Sequence, residues 1–366
     1  MHRINRIFLS VIAISLIFVS ACNSEKKEDS EQVLPFTITN ENDLQGKLGK
    51  EIVLNLQVNE KVTILHALAG KDTLKTWKNV SGSLSYTFNT SLSGIGKHDV
   101  KFICSLDNGK VFDQTITVEV LSDKAFNLLE ATILSNHPHM SSSFTQGLEF
   151  DGENLYEGTG DPSYTGATFV AQVDLNTGKQ KLKQPVPTPN FGEGITILNG
   201  KLYQLTWQQQ KCFIYDKNSL KKIGEFTYEG EGWGLCNDGD HLIMSNGTST
   251  LVFRDPETFK VIKTIQVATD KSSVSSLNEL EYVDGLIYAN IWQEDVVVSI
   301  EPSTGRVIDL INCFALVNQV RAAPNQANPR PEVLNGIAYK KSTKTFFLTG
   351  KYWPTIFEVM FTRKNS

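Results

Sequence analysis

Five short stretches decide the fold: GLEF (147–150), GITI (194–197), GLCN (234–237), ELEY (279–282) and GIAY (336–339). Anchored on Leu148, Ile195, Leu235, Leu280 and Ile337, they recur at spacings of 47, 40, 45 and 57 residues. Each opens an apolar strand, followed by a polar or Gly-containing turn, a second strand, and a third strand ending in a polar turn. Those later turns read VDLNTG (173–178), IYDKNS (214–219), FRDPET (253–258) and IEPSTG (300–305). A period of about 40–50 residues with several strands per repeat is the signature of β-propeller blades. The five starts predict an all-β fold with five blades over residues 125–366. The longest spacing holds PNQANPRP (324–331), read as a loop. The last repeat ends without an outer strand. The segment FNLLEATIL (126–134) stands ahead of the first blade and is placed to supply that strand. An open stack would leave bare sheet edges.

Upstream of the repeat the pattern changes. IVLNLQV (52–58), VKFIC (100–104) and TITVEV (115–120) alternate, with turn signals at Asn89-Thr90, Gly94-Ile95-Gly96 and Asp107-Asn108-Gly109. Short alternating strands over 35–122 predict a small immunoglobulin-like β-sandwich acting as a spacer or adhesion module. Leu121-Ser122-Asp123-Lys124 reads as the linker to the propeller. At the front, residues 1–22 carry a basic start at Arg3 and Arg6, then an apolar run, Ile7 to Val19, short for a membrane span. The run ends in Val19-Ser20-Ala21-Cys22, which resembles a bacterial lipobox. That resemblance implies cleavage before Cys22 and a lipid on its sulfur, with 23–34 as a flexible polar tether. The expected product is an extracytoplasmic lipoprotein on the bilayer. Asn23 stands where a retention Asp would, which favours the outer membrane.

Composition narrows the function classes. The 366 residues are 20% charged and 40% hydrophobic, which excludes a disordered, collagen-like or coiled-coil chain. A net charge of −5 leaves no basic footprint for nucleic acid, and a monomer is expected. Cys104, Cys212, Cys236 and Cys313 follow Cys22; an extracytoplasmic setting permits disulfides, and three full pairings stay open. The six histidines form no metal-ligand pattern with them, and His137-Pro138-His139 reads as a polar loop. The chemistry below requires no cofactor; a calcium ion in the propeller channel stays open, without ligands that the sequence can name.

Aligning the repeats on themselves exposes a site. Two residues before each anchor stand Gln146, Glu193, Trp233, Asn278 and Asn335; twelve after stand Gly160, Trp207, Gly247 and Trp292. The fifth repeat has a turn two residues longer, which brings Lys351 to the equivalent place. Phe144 and Phe191 lie four before the first two anchors. One carboxylate, one ammonium, amides and aromatics thus converge on one mouth of the ring, as a ligand pocket would have it. A lone carboxylate walled by aromatics has its pKa raised by burial and suits proton transfer near neutral pH. The aligned positions hold no Ser-His-Asp set and no second carboxylate for a glycosidase pair.

The stretches FTQGLEF (144–150), FGEGITIL (191–198), LTW (205–207), EGWGLC (231–236), LNELEY (277–282), NIW (290–292), NGIAY (335–339) and TGKYWP (349–354) resemble the glutaminyl-peptide cyclotransferases of the plant and bacterial type. The resemblance covers about 140–363 and none of the first domain. It implies a five-bladed propeller that turns an N-terminal glutamine into pyroglutamate with release of ammonia, without the zinc of the animal enzymes. By resemblance and position, Glu193 is the acid/base; Gln146 and Asn278 orient the substrate; Lys351 donates to the carboxamide oxygen; Phe144, Phe191, Trp207, Trp233 and Trp292 wall the pocket. Asn335 joins them from the repeat alignment alone. Its partners would be peptides or proteins that begin with Gln. The alternatives are a non-catalytic propeller binding a peptide or sugar, and an envelope adhesion protein whose first domain matters most. A cyclotransferase is expected to survive deletion of 23–122. A metal-dependent lactonase is weaker, since its ion needs several oxygen ligands.

Overall fold

Period-two alternation builds the first domain. Ile52, Leu54, Leu56 and Val58 are buried, while Glu51, Val53 and Asn55 are exposed, so strand β3 (Glu51–Ala69) turns one face to a core. It pairs with β4 (Asp72–Asn89) on one edge. On the other it pairs first with β1 (Phe36–Ile38), through Leu56–Val58, and then, from Val62 onward, with β5 (Gly96–Leu106). A single helical turn, α1 (Thr90–Ser93), links β4 to β5, and β6 (Val111–Leu121) joins β5 to β2 (Gln45–Lys47). All six strands are hydrogen-bonded into one sheet rather than two. The partner switch bends that sheet over its own core, where Phe36 meets Phe102 with ring centroids 6.2 Å apart.

This is a computed structural model, and it describes residues 34–322 and 330–363. The signal segment, Cys22 and all of the tether but Leu34 lie outside the described residues, as does most of the 324–331 loop. Pro35–Ser366 forms one compact unit.

Residues 121–124 are packed against the third and fourth repeats. Leu121 and Ser122 are buried, and Asp123 pairs with Arg306. Leu121 packs with Ile95 and Ala268, so the seam has a small apolar core. The Gln266 amide spans it, accepting from Lys97 N–H and donating to Lys97 C=O, each at 3.0 Å. Ser122 N–H donates to Thr269 C=O, and Ser273 Oγ donates to Glu119. A chain cut before Lys124 would expose Ala268 and leave Arg306 with Glu301 as its one remaining carboxylate among the described residues. Such a truncated propeller is expected to melt several degrees below the full chain in a thermal melt; equal midpoints would show the seam to be idle.

The repeats form five four-stranded units. The first is β8 (Phe144–Asp151), β9 (Asn154–Gly160), β10 (Phe169–Val173) and β11 (Gln180–Pro185). The second is β12 (Gly192–Leu198), β13 (Lys201–Thr206), β14 (Lys211–Asp216) and β15 (Lys222–Thr227). The third is β16 (Leu235–Asn237), β17 (Leu242–Met244), β18 (Thr250–Arg254) and β19 (Val261–Gln266). The fourth is β20 (Leu277–Val283), β21 (Leu286–Ile291), β22 (Val296–Ile300) and β23 (Val307–Asn312). The fifth is β24 (Leu334–Lys340), β25 (Thr345–Gly350) and β26 (Thr355–Arg363), completed by β7 (Asn127–Pro138) from ahead of the first unit. β7 also pairs in parallel with β23, so the last two units share a sheet. The inner strands pack in a ring: β8 on β12, β12 on β16, β16 on β20, β20 on β24 and β24 on β8. This is a β-propeller.

The glycine ahead of three anchors has a packing reason. A Cβ on Gly147 or Gly194 would lie 2.5 Å from the backbone nitrogen of Ile195 or Leu235, and one on Gly234 would lie 1.9 Å from Asn278 O. Only a bare backbone lets each inner strand come this close to the next. Two local features depart from the sequence reading. Helix α2 (Phe314–Ala322) buries Leu316, Val317 and Val320 among Ile311, Leu334 and Trp353. His137 belongs to β7, and His139 is buried beside Glu157 rather than lying in a polar loop. Cys104, Cys212, Cys236 and Cys313 are all buried free thiols.

Candidate active site

A bulge at the start of the inner strand aims the polar residues. Register slips between Thr145 and Gly147 in β8, Gly192 and Ile195 in β12, Leu277 and Leu280 in β20, and Leu334 and Ile337 in β24. Gln146, Glu193, Asn278 and Asn335 fall within these slips, where an unpaired residue re-aims its side chain. The ends of the second strands lie opposite. Trp207 N–H donates to Phe191 O at 3.0 Å, Trp292 N–H to Ser276 O at 2.8 Å, and Lys351 N–H to Val333 O at 3.0 Å. Each acceptor stands two residues before the bulge residue, so Lys351 holds the place of Trp207 and Trp292 despite its longer turn.

These elements enclose a cavity of about 430 Å³ lined by Phe144, Gln146, Phe191, Glu193, Trp207, Trp233, Asn278, Trp292 and Lys351, together with Pro162, Tyr164, Gln293, Glu332 and Val333. Asn335 is not on the wall. Fully buried, it donates from Nδ2 to Gln146 Oε1 and to Thr145 O, each at 3.0 Å. Gln146 Nε2 in turn donates to Glu193 Oε1 at 2.9 Å. Asn278 is buried, and its Oδ1 has no hydrogen-bond partner among the described residues. Phe144 meets Phe191 edge-on at 6.0 Å, Phe191 meets Trp207 at 5.7 Å, and Trp233 meets Trp292 at 5.7 Å. Lys351 Nζ lies 4.5 Å above the centre of the Phe144 ring. Trp292 is 40% exposed and forms the rim, whereas Glu193 is 4% exposed.

The aligned glycines are part of this wall. A Cβ on Gly160 would lie 2.2 Å from the Phe191 ring, and one on Gly247 would lie 2.6 Å from the Trp233 ring. Gly247 also has φ of +79°, a conformation that costs a substituted residue of order 1–3 kcal/mol. Gly247→Ala is therefore expected to lose stability of about that size and to swing Trp233 away from Trp292. Urea unfolding and near-ultraviolet circular dichroism read the two effects; an unchanged spectrum would show that the ring does not depend on the space.

Burial raises the Glu193 carboxyl well above the usual carboxylate range; Lys351 pulls it down and Glu231 pushes it up. Burial also lowers the Lys351 ammonium, against the pull of Glu193 and Glu332. Burial thus works against the charged form of both groups, while their mutual attraction works for it. Glu231 stands four before the third anchor, where the first two repeats carry Phe144 and Phe191, and was not singled out in the sequence. Burial alone would raise it, but hydrogen bonds from Gln208, Trp233 and Trp207 outweigh burial and hold it below the ordinary value.

The inner strands carry further carboxylates that the alignment did not count. Glu279 replaces the glycine ahead of the fourth anchor and accepts from Leu148 N–H at 3.1 Å and Ile337 N–H at 2.7 Å. Glu149 accepts from Ile197 N–H at 3.0 Å, stitching the first unit to the second. Burial pushes Glu149 up to about 8, and burial with the Glu149 charge raises Glu281 well above its usual range. Among the described residues, no group of three or more His, Cys, Asp or Glu stands where it could hold a metal ion, so a channel calcium gains no support.

Comparison with known proteins agrees with this geometry. A family model described as Glutamine cyclotransferase matches residues 110–361. The glutaminyl-peptide cyclotransferase of Arabidopsis thaliana is 36% identical over 239 residues, 65% of this chain and 73% of its own. The crystal structure of Myxococcus xanthus glutaminyl cyclase is similar with a TM-score of 0.60 and 34% identity, over 66% of this chain and 100% of that one. The match spans both the ring of inner strands and every residue of the pocket, and the chain belongs to the glutamine cyclotransferase family.

Proposed function

We propose that this chain is a glutaminyl-peptide cyclotransferase acting by general acid/base catalysis from Glu193. It converts the N-terminal glutamine of peptides or proteins to pyroglutamate with release of ammonia. The observation that carries the reading is one nearly inaccessible carboxylate, bonded to Gln146, within an aromatic cavity of a member of this family.

The substrate α-amine attacks its own side-chain carbonyl carbon. A carbon–nitrogen bond forms, the carboxamide carbon–nitrogen bond breaks, and ammonia leaves. The attack is intramolecular, so the protein must hold the folded-back conformer and move one proton. Glu193 takes that proton from the attacking amine and returns it to the departing nitrogen. The α-amine has an ordinary pKa of about 7.7–8.0, and a carboxyl raised by burial is a stronger base for that transfer than an exposed one. Asn335 fixes Gln146, and Gln146 fixes Glu193. Asn278, on the cavity wall, orients the substrate through its amide. Lys351 supplies positive charge to the carboxamide oxygen as negative charge develops. The aromatic wall excludes water and holds the chain that follows the glutamine.

Around this site we read a five-bladed propeller over 125–366 and an immunoglobulin-like sandwich over 35–122, whose layers share the bent β3–β4 ribbon. The lipobox-like segment supports a lipid on Cys22, and Asn23 supports the outer membrane; labelled palmitate incorporation, lost in Cys22→Ser, tests the anchor. For the activity, soluble protein starting after Cys22 is incubated with Gln-initiated dipeptides. One ammonia per pyroglutamyl product, unchanged by a chelator, is the expected result. No release from folded protein across several such peptides would overturn the reading.

A further inference from the structure

One oxygen of Glu231 accepts from two indoles at once: Trp207 Nε1–H at 2.7 Å and Trp233 Nε1–H at 3.0 Å. Its other oxygen accepts from Gln208 Nε2 at 3.0 Å. Glu231 lies ahead of β16, Trp207 follows β13, and both rings line the cavity. Trp207 packs on Phe191, and Trp233 packs on Trp292. The carboxylate therefore ties together both halves of the aromatic wall. Two indole N–H groups meeting at one anion form charge-assisted bonds, roughly twice as strong as neutral ones.

We propose that Glu231 is a positioning residue of the cyclotransferase site, which locks the Trp207 and Trp233 rings in register and keeps a fixed negative charge near Glu193. This rests on the cyclotransferase reading. The charges of Lys351, which shares the cavity wall, and of Glu231 act on Glu193; Glu193 acts on Tyr228, and Glu332, also on the wall, acts on Lys351. Of these, Lys351 favours the ionised Glu193 and Glu231 opposes it, so Glu231 sets the proton affinity of Glu193 against the pull of Lys351. A carboxylate can hold the indoles and supply the charge; an amide can do only the first, and alanine neither.

The test uses Glu231→Gln and Glu231→Ala in the full chain after Cys22. Indole N–H resonances are recorded without substrate, with Trp207→Phe and Trp233→Phe serving only to assign them. Both resonances are expected downfield in the wild type, to stay near that position in E231Q, and to move upfield in E231A. With a Gln-initiated dipeptide, E231A is expected to lose at least tenfold in kcat/KM, and E231Q to recover most of that loss. The acid limb of the E231Q profile is expected at lower pH, since removing a negative charge eases ionisation of Glu193. Unmoved indole resonances in E231A, or an acid limb in E231Q at the wild-type position, would overturn the proposal. A wild type that releases no ammonia would sink the cyclotransferase reading instead, while the indole spectra would still judge the clamp.

Discussion

Glu193→Gln is expected to lower kcat by about 10²- to 10⁴-fold, the usual contribution of a positioned acid/base, with the fold intact. The substitution is nearly isosteric, and the amide oxygen can still accept from Gln146 Nε2, as Glu193 Oε1 does now at 2.9 Å. It also removes a buried ionisable group, which costs free energy when charged, so the melting temperature should not fall. KM should change little, because the aromatic wall and Asn278 remain. A variant within threefold of wild-type kcat would remove Glu193 from the chemistry and leave the pocket a binding site. The acid limb of the wild-type pH profile should lie above the ordinary carboxylate range, since burial raises Glu193 and the base must be ionised. Lys351→Met should move that limb further up, because it removes the positive charge that favours the carboxylate. This shift is opposite in sign to the one expected for Glu231→Gln, so the pair of variants separates a charge effect from a general disturbance of the pocket.

The part of the site that repeats was legible in the sequence. A residue two before each anchor lands in a bulge because each inner strand is built the same way, and even the two extra residues ahead of Lys351 could be subtracted. The glycines ahead of the anchors were visible as a pattern, though their reason, backbone contact with the next inner strand, needs the ring itself. What escaped lies between repeats. Glu231 acts on Trp207 from 24 residues away, and the first two repeats carry phenylalanines, Phe144 and Phe191, at its aligned place. Glu149 and Glu279 sit one residue from an anchor, yet their partners are backbone groups of other units. Composition cannot distinguish a solvated glutamate from one that stitches a ring. The packing of 121–124 was hidden for the same reason: Ser122 and Asp123 look like a polar turn until Thr269 and Arg306 stand opposite them.

His139→Leu is expected to destabilise the protein by about 3–5 kcal/mol, because it leaves Glu157 buried without its cation. Both side chains are nearly inaccessible, at 1% and 2% exposure. His139 Nδ1 lies 2.7 Å from Trp353 O and Nε2 lies 2.9 Å from Glu157 Oε1. A carbonyl and a carboxylate can only accept, so both ring nitrogens carry hydrogen and the ring is an imidazolium. Burial alone would lower its pKa, but the Glu157 charge and the two hydrogen bonds outweigh burial and raise it. Thr145 Oγ1 and Ser143 Oγ also donate to Glu157. The pair joins β9 to the loop that follows Lys351, and Ser143 and Thr145 flank Phe144. Replacing both partners, as His139→Leu with Glu157→Met, should restore most of the lost stability, since neither charge is then stranded. The pH dependence has a definite sign. A histidine whose pKa is raised by folding contributes fully below its unfolded value, about 6.5, and that contribution is lost as pH rises through the folded value. Wild type should therefore lose stability on the alkaline side relative to the double variant, read as urea midpoints across pH. A single His139→Leu variant as stable as wild type at pH 6 would show that the pair is not ionised. The same experiment tests whether the clamp beneath Phe144 and Lys351 is held by charge or by packing alone.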